Sequence, residues 1–540
     1  MKLSKSFIGL IIVSLVFYLY ATNSFSIFQR DSALEIVDFS IENSPVNNDI
    51  PSNPYRNPYY GDLHVHTKYS FDAYIFGVTA TPYDAYKFAT GRAIKHPLGF
   101  DMKLREPLDF YAVTDHGFYM GMIENYADTS SKMSKNEWTI PMHNLNRPEN
   151  VTVESTGERA DLFSSVVRQA IVIPHPWWHP NYIGAWLTNN IQLALKSFDY
   201  DVHKSAWADV ANAAEEFNDP GKFTTFIGYE FTTSTDVEGG NLHRNVIFNS
   251  SNAPIRPWTR IDSINPEDLW TWMDNLRDKG VDSLAMPHNS NGSNGQMFEV
   301  ETFRGNPINE EYAEKRMRNE PVVEMTQVKG TSDTHPLLSP DDEWADFEIM
   351  DKRVGSRPPT YSMPQGGYVR DAYLRGLTLD WEGRGNPYKF GLIGSSDTHT
   401  GAGAYDENNY WSKVGVLDGT DMGRGSVPLS QDRIDQLTQY SIDFNQPVST
   451  KQIEGKTYAD VGFDQWSASG LAVAWAEENT RDSIFQAFKR KETFATTGTR
   501  MAVRFFAGFD MESIDLNSED MVEDAYAKGV TMGADLFSQG

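Results

Sequence analysis

Tyr59-Tyr60-Gly61-Asp62-Leu63-His64-Val65-His66-Thr67 is a short strand-like run that ends in two imidazoles separated by one residue. Alone, such a pair is weak, because two histidines two apart can simply line one face of a strand. The chain returns to the same chemistry four more times. Thr114-Asp115-His116, Gly228-Tyr229-Glu230, Met286-Pro287-His288-Asn289 and Ser396-Asp397-Thr398-His399 each follow a short apolar run. Imidazole and carboxylate are the side chains that hold catalytic divalent metals. Five such clusters, each at an expected strand end, imply one site assembled from distant segments. The chemistry they imply is metal-dependent hydrolysis.

Outward from that stretch, strands are expected at 59–65, 109–114, 170–173, 222–230, 282–286, 322–327 and 388–393. Helical stretches are expected at 82–90, at 266–279 behind Pro-Glu-Asp, and at 481–491 with Thr480 as N-cap. Alternation of this kind predicts parallel β/α units. In β/α barrels the site forms from loops at the C-terminal ends of the strands, where all five clusters fall. Residues 27–58 read as an irregular leader, 59–505 as the barrel and 506–540 as a C-terminal extension. The stretch from about 118 to 221, rich in Trp, Asn and Pro, reads as an insertion forming a lid or side wall.

Forty-seven basic against 74 acidic residues give a formal charge of −27. An acidic surface repels nucleic acid and anionic membranes, which excludes both as extended partners. A small anionic substrate stays compatible, because bound metal sets the local field. The N-terminus carries Lys2 and Lys5, an apolar run over 7–19, and small residues to Ser26. That is a secretory signal pattern at 1–26, or an uncleaved anchor, and the run is short of the about 20 residues a membrane span needs. With no cysteine there is no disulfide framework and no thiolate ligand. The expected setting is the periplasm or secretion from a bacterium, with the oligomeric state left open.

The ordered set His-x-His, Thr-Asp-His, Glu, His, Pro-His and Asp-x-His resembles the PHP superfamily, named for polymerase and histidinol phosphatase. Gly228-Tyr229-Glu230-Phe231-Thr232, Gly239-Gly240-Asn241-Leu242-His243-Arg244-Asn245, Lys329-Gly330-Thr331-Ser332-Asp333-Thr334-His335-Pro336 and Trp475-Ala476-Glu477-Glu478-Asn479-Thr480-Arg481 narrow this. They resemble a large exported bacterial branch catalogued mainly as a domain of unknown function, from about residue 56 to beyond 530. The resemblance implies an α/β fold: a distorted (β/α)7 barrel with a long lid insertion and extra C-terminal elements. It also implies two or three divalent ions, zinc, manganese or iron, and a small phosphoester substrate. Carried over position by position, the ligands are His64, His66, Asp72, His116, Glu230, His243, His288, Asp397 and His399. Asp72 departs from the pattern, since Ser70-Phe71-Asp72 holds one residue more than the usual Ser-Asp. Relatives tend to continue into a further β-rich segment, whereas this chain stops at Gly540, as a short form or an incomplete piece.

On this reading a metal-bridging hydroxide attacks phosphorus, with Glu230 as a bridging carboxylate. His116, Arg244, Asp397 and His399 are the expected catalytic groups. Arg244, next to ligand His243, is expected to grip phosphate as a fork, with Lys329, His335 and Arg370 as further substrate contacts. The leaving-group acid is His116 or a metal-bound water. Asp115 reads as a supporting carboxylate, His175 and His179 as part of an aromatic wall, and His96, His143 and His203 as packing or surface residues. The rivals are hydrolysis of an amide, lactone or sulfate ester by the same site, and a non-catalytic metal-holding scaffold. No Gly-x-Ser-x-Gly elbow and no nucleotide fingerprint is present.

Overall fold

The opening run forms β1, Asn57–Asp62, in the computed structural model, which describes residues 33–41, 49–170, 198–235, 239–354, 360–444 and 449–537. Then come α1 (Phe71–Ile75), α2 (Pro82–Ala89), β2 (Phe110–Tyr111), α3 (Thr156–Ala170) and α4 (Tyr200–Phe217). The middle of the chain supplies β3 (Thr224–Thr225), β4 (Gly228–Phe231), β5 (Arg244–Phe248), α5 (Pro266–Arg277) and β6 (Ser283–Pro287). After these follow α6 (Glu310–Asn319), β7 (Val322–Gln327), α7 (Val369–Trp381), β8 (Gly391–Gly394), β9 (Leu471–Ala476), α8 (Arg481–Lys489) and β10 (Thr493–Thr496).

Local chemistry sets the helix starts. Thr81 and Asp84 form a reciprocal capping box on α2, with Pro82 in its first turn. Asn265 caps α5, and Thr480 accepts from the Ser483 amide at the start of α8. The α8 face of Ile484, Phe485 and Phe488 is buried, as its spacing predicts.

In the largest sheet β1, β2 and β3 run parallel, through Gly61 beside Phe110 and Phe110 beside Thr224. Gly61 has to be glycine, because the Phe110 ring leaves no room for a Cβ. The other edge of β1 carries β9 and then β10, both antiparallel. A second sheet is the antiparallel set β4, β5, β6, and a third is β7 parallel to β8 with Gly330–Thr331 at its edge. Two isolated parallel bridges, Val65 to Thr398 and His116 to Glu230, tie the first sheet to the third and to the second. Leu63, Phe110, Phe226, Ile247, Leu284, Val322 and Ile393 form one buried cluster with the α8 face.

The architecture is therefore mixed α/β with small sheets, and no closed ladder of strands is present among the described residues. Three details correct the sequence expectation. β5 runs antiparallel between β4 and β6, which simple β/α alternation does not foresee. The strand expected at 170–173 begins inside α3, and its last three residues lie outside the described ones. The leader is not wholly irregular, since Ile36–Asp38 pairs antiparallel with Asn252–Pro254. The segment expected as signal or anchor lies outside the described residues, among which no helix is long and apolar enough to cross a membrane. The last described part of the insertion is packed into the body: α4 buries Ala206, Trp207, Val210 and Ala214, and the Trp207 Nε1 donates to the Pro254 carbonyl.

Candidate metal centre

All nine expected ligands converge. β1 ends two residues before His64, and β2 leads to His116, which bridges to Glu230 on β4. Because β5 is inverted, its start lies beside the end of β6, so His243 and His288 arrive together, with the His288 amide 3.3 Å from the His243 carbonyl. The turn after β8 delivers Asp397 and His399. Asp397 holds a φ of +56° and Asn289, after His288, one of +48°, left-handed conformations that only Asp and Asn among non-glycine residues adopt readily.

The centre is set by His64 and His66. His64 Nε2 lies 3.4 Å from both Glu230 Oε2 and Asp397 Oδ1, and His66 Nε2 lies 3.3 and 3.5 Å from the same oxygens. Atoms bound at 2.0–2.1 Å in tetrahedral array sit about 3.3–3.4 Å apart, so each of these four separations is of ligand length, and the ligand atoms of His64, His66 and Asp397 lie within 4.8 Å of one another. Both Nε2 atoms are buried and make no hydrogen bond, as are His288 Nδ1 and Glu324 Oε1. A buried polar atom without a partner costs about 1–3 kcal/mol, which a bound cation would offset. Around this core lie three further groups with ligand atoms within 4.8 Å of one another: His66, His116 and His399; Glu230, His243 and His288; and His64, His288 and Glu324. Asp72 borders the first of these, 2.9 Å from His399 Nε2 and 3.4 Å from His116 Nε2, despite its extra residue of spacing.

Supporting contacts turn the imidazoles. Glu324 Oε2 accepts from His64 Nδ1 at 2.9 Å, and Ser70 Oγ holds His66 Nδ1 at 2.8 Å while donating to Asp115. His116 Nδ1 is held by Thr232 Oγ1 at 2.7 Å. With Nδ1 as the donor, each Nε2 keeps its lone pair for a cation.

The field is strongly anionic. Burial works against the charge on Asp72, Glu230 and Asp397, yet neighbouring His and Lys groups hold all three carboxyls well below their ordinary range. Burial would also lower His64, but Asp397, Glu324 and Glu230 raise it to about 10; Glu230 and Asp72 do the same for His116. His399 is pushed down to about 3, mainly by burial. Two raised imidazoles beside ionised carboxylates are protons standing where a divalent cation would sit.

The remaining substrate candidates separate. Lys329 reaches the site and bonds Asp397 Oδ2. Arg244 does not. It sits opposite Phe231 and Pro287 on the outer face of its sheet, whereas Glu230 and Asn245 share the inner one. Its guanidinium is buried against Glu320, at 2.8 Å, and the Leu242 carbonyl. His335 packs beside Tyr368, and Arg370 pairs with Asp333 and Asp342; neither touches the cluster. His96 and His203 are buried in packing roles, His143 bonds the Ser134 carbonyl, and His175 and His179 lie outside the described residues.

Sequence reading missed Glu324, Gln327 and Lys413. Gln327 donates to Asp397 Oδ2 at 2.8 Å, and Lys413 lies 3.2 Å from Oδ1 and 2.8 Å from His399 Nδ1. Burial pushes the Lys413 ammonium down to about 8. A lone Glu within the apolar run Val322-Val323-Glu324-Met325 was a readable signal for Glu324; Lys413 carried none.

Searches of curated proteins and of solved structures give no match. A family model described as Protein of unknown function (DUF3604) matches residues 53–540. That span takes in the strands, the insertion, the C-terminal elements and every residue of the cluster, so the chain belongs to the DUF3604 family.

Proposed function

We propose that this chain is an exported metal-dependent hydrolase of PHP type, and most specifically a phosphoesterase acting on small mono- or diesters. One observation carries the reading: the orphaned Nε2 atoms of His64 and His66 face Glu230 Oε2 and Asp397 Oδ1 at coordination spacing. The overlapping ligand groups around them suit two or three ions rather than one. We also read the three small sheets as arcs of one distorted seven-stranded barrel. In favour are the two bridges between sheets, and the buried cluster fed by seven successive strand-bearing runs.

Divalent ions held there supply Lewis acidity and bring the pKa of a bound water towards neutrality. The chain's own residues do the rest. Glu230 and Asp397, each facing both His64 and His66, are the carboxylates that would hold such ions together with those imidazoles. Phe71, stacked on Phe163 of α3 and tilted against the His116 ring, walls one side against water. His116 lies near the more exposed rim with Asp72 and His243, and would hold a proton for the leaving oxygen only where its Nε2 is not spent on an ion. The position of Arg244 favours a second reading, an amide, lactone or sulfate ester substrate, because the guanidinium expected to grip phosphate is turned away from the centre.

A substrate panel on metal-reconstituted protein, with elemental analysis, tests both. Cleavage of aryl phosphate esters with about two or more equivalents of metal is expected. Turnover of an amide, lactone or sulfate ester with phosphate esters untouched overturns the phosphoester reading. A single equivalent overturns the multinuclear one.

A further inference from the structure

Two ammonium groups share one carboxylate beside the cluster. Lys329 Nζ bonds Asp397 Oδ2, while Lys413 Nζ reaches Oδ1 at 3.2 Å and His399 Nδ1 at 2.8 Å. An ammonium carries three donors. By these contacts Lys329 spends one and Lys413 two, and among the described residues neither makes another hydrogen bond or ion pair; the Trp466 ring lies 5.8 Å from Lys413 Nζ. At least three N–H donors are left over, and a fourth where His399 Nδ1 donates to the Asp397 carbonyl instead of accepting from Lys413.

The charges are unequal as well. Asp72, Glu230 and Glu324 are engaged by imidazoles, so Asp397 is the carboxylate that both lysines contact, with Asp72 and Asp418 acting on Lys413 from further away. Asp62 and Asp115 lie further out, held by hydroxyl and backbone donors. Asp397 Oδ1 is also drawn towards His64 and His66, which leaves less of its charge for the lysines. Burying ammonium groups without full compensation is costly, so such a pair is kept where an arriving anion completes it. Lys329 is 13% exposed and Lys413 only 4%, which sets one at the mouth and the other beneath it.

We propose that Lys329 and Lys413 form a cradle for the terminal oxygens of a phosphomonoester, taking the place expected for Arg244. Three free donors match the three non-bridging oxygens of a terminal phosphoryl group, and two positive charges match its dianion. A diester presents two such oxygens and one charge, so the cradle selects monoesters. This rests on the phosphoester reading and narrows it.

The test is inorganic phosphate binding to the metal-loaded full chain by calorimetry, with metal content measured on every variant. Lys329→Gln should weaken phosphate binding about tenfold or more with metal retained, and Lys329→Arg should stay within about threefold of the parent. Lys329→Gln should also raise KM about tenfold for an aryl phosphate monoester and less than about threefold for a diester. Unchanged phosphate affinity in metal-replete Lys329→Gln, or equal losses for both esters, overturns the cradle and leaves phosphoester hydrolysis standing. A parent protein that turns over only an uncharged ester or amide and binds no phosphate overturns both.

Discussion

Asp397 joins a ligand oxygen to a left-handed backbone, and that pairing decides which substitution probes it cleanly. Asn tolerates the same φ, so Asp397→Asn removes charge without adding backbone strain, whereas Ala would confound the two. Asp397→Asn should abolish metal-dependent turnover and lower bound metal while circular dichroism stays unchanged. Glu324→Gln leaves the nine expected ligands in place but loosens the grip on His64 Nδ1 and removes the charge of a further candidate ligand oxygen. Metal affinity, read by chelator competition, should fall about 10–100-fold. Arg244→Met should behave differently, costing about 1–3 kcal/mol in chemical denaturation by removing one of the two guanidinium partners of Glu320 while Arg316 and Trp270 remain, with metal content per folded molecule preserved. The nine candidate ligands were legible because each falls in or beside a recognisable motif. Arg244 was misplaced because adjacency along a chain means opposite faces of a strand. Lys413 was illegible because a lysine in a loop looks the same whether it meets solvent or a buried carboxylate.

At the scale of elements, α4 and the turn before Asp101–Met102 each bury an imidazole whose charge has no counterpart. His203 donates to the Gly117 carbonyl at 2.8 Å, and His96 to Ser412 Oγ at 2.9 Å. Burial pushes both down to about 4, with Arg424 adding to the effect on His96. The unfolded chain binds these protons near pH 6.5 while the native one refuses them until about 4. Their contribution is therefore complete above pH 6.5 and lost as pH falls through that window, at up to about 1.4 kcal/mol per pH unit each. Urea midpoints measured from pH 7 to 4.5 should decline, and less steeply in His203→Gln. Helices α2, α5 and α8 were readable from their caps and apolar spacing. β5 was not, because it opens on His243-Arg244-Asn245, and neither was β9, whose alternating alanines in Leu471–Ala476 carry little strand preference.

For the whole molecule, the cluster is the place where separate sheets meet, so binding there stabilises the assembly rather than one loop. An ion present at about a thousand times its dissociation constant adds about 4 kcal/mol to the native state. Chelation should lower the thermal midpoint of the entire chain in one transition; an unchanged midpoint would mean that the sheets hold together without the centre. The general architecture was visible in the alternation of strand and helix, but the inversion of β5 and the packing of the insertion depend on long-range contacts that local pattern does not encode. One of those contacts joins Ser396 Oγ to the His64 carbonyl across 332 positions of sequence. During synthesis, therefore, His64 and His66 exist long before Asp397 and His399 do, and the cluster is complete only when about three quarters of the chain is made. A chain delivered unfolded across a membrane would meet its metal only on arrival, so the ions available in that compartment, as much as the ligand set, would decide which one is kept.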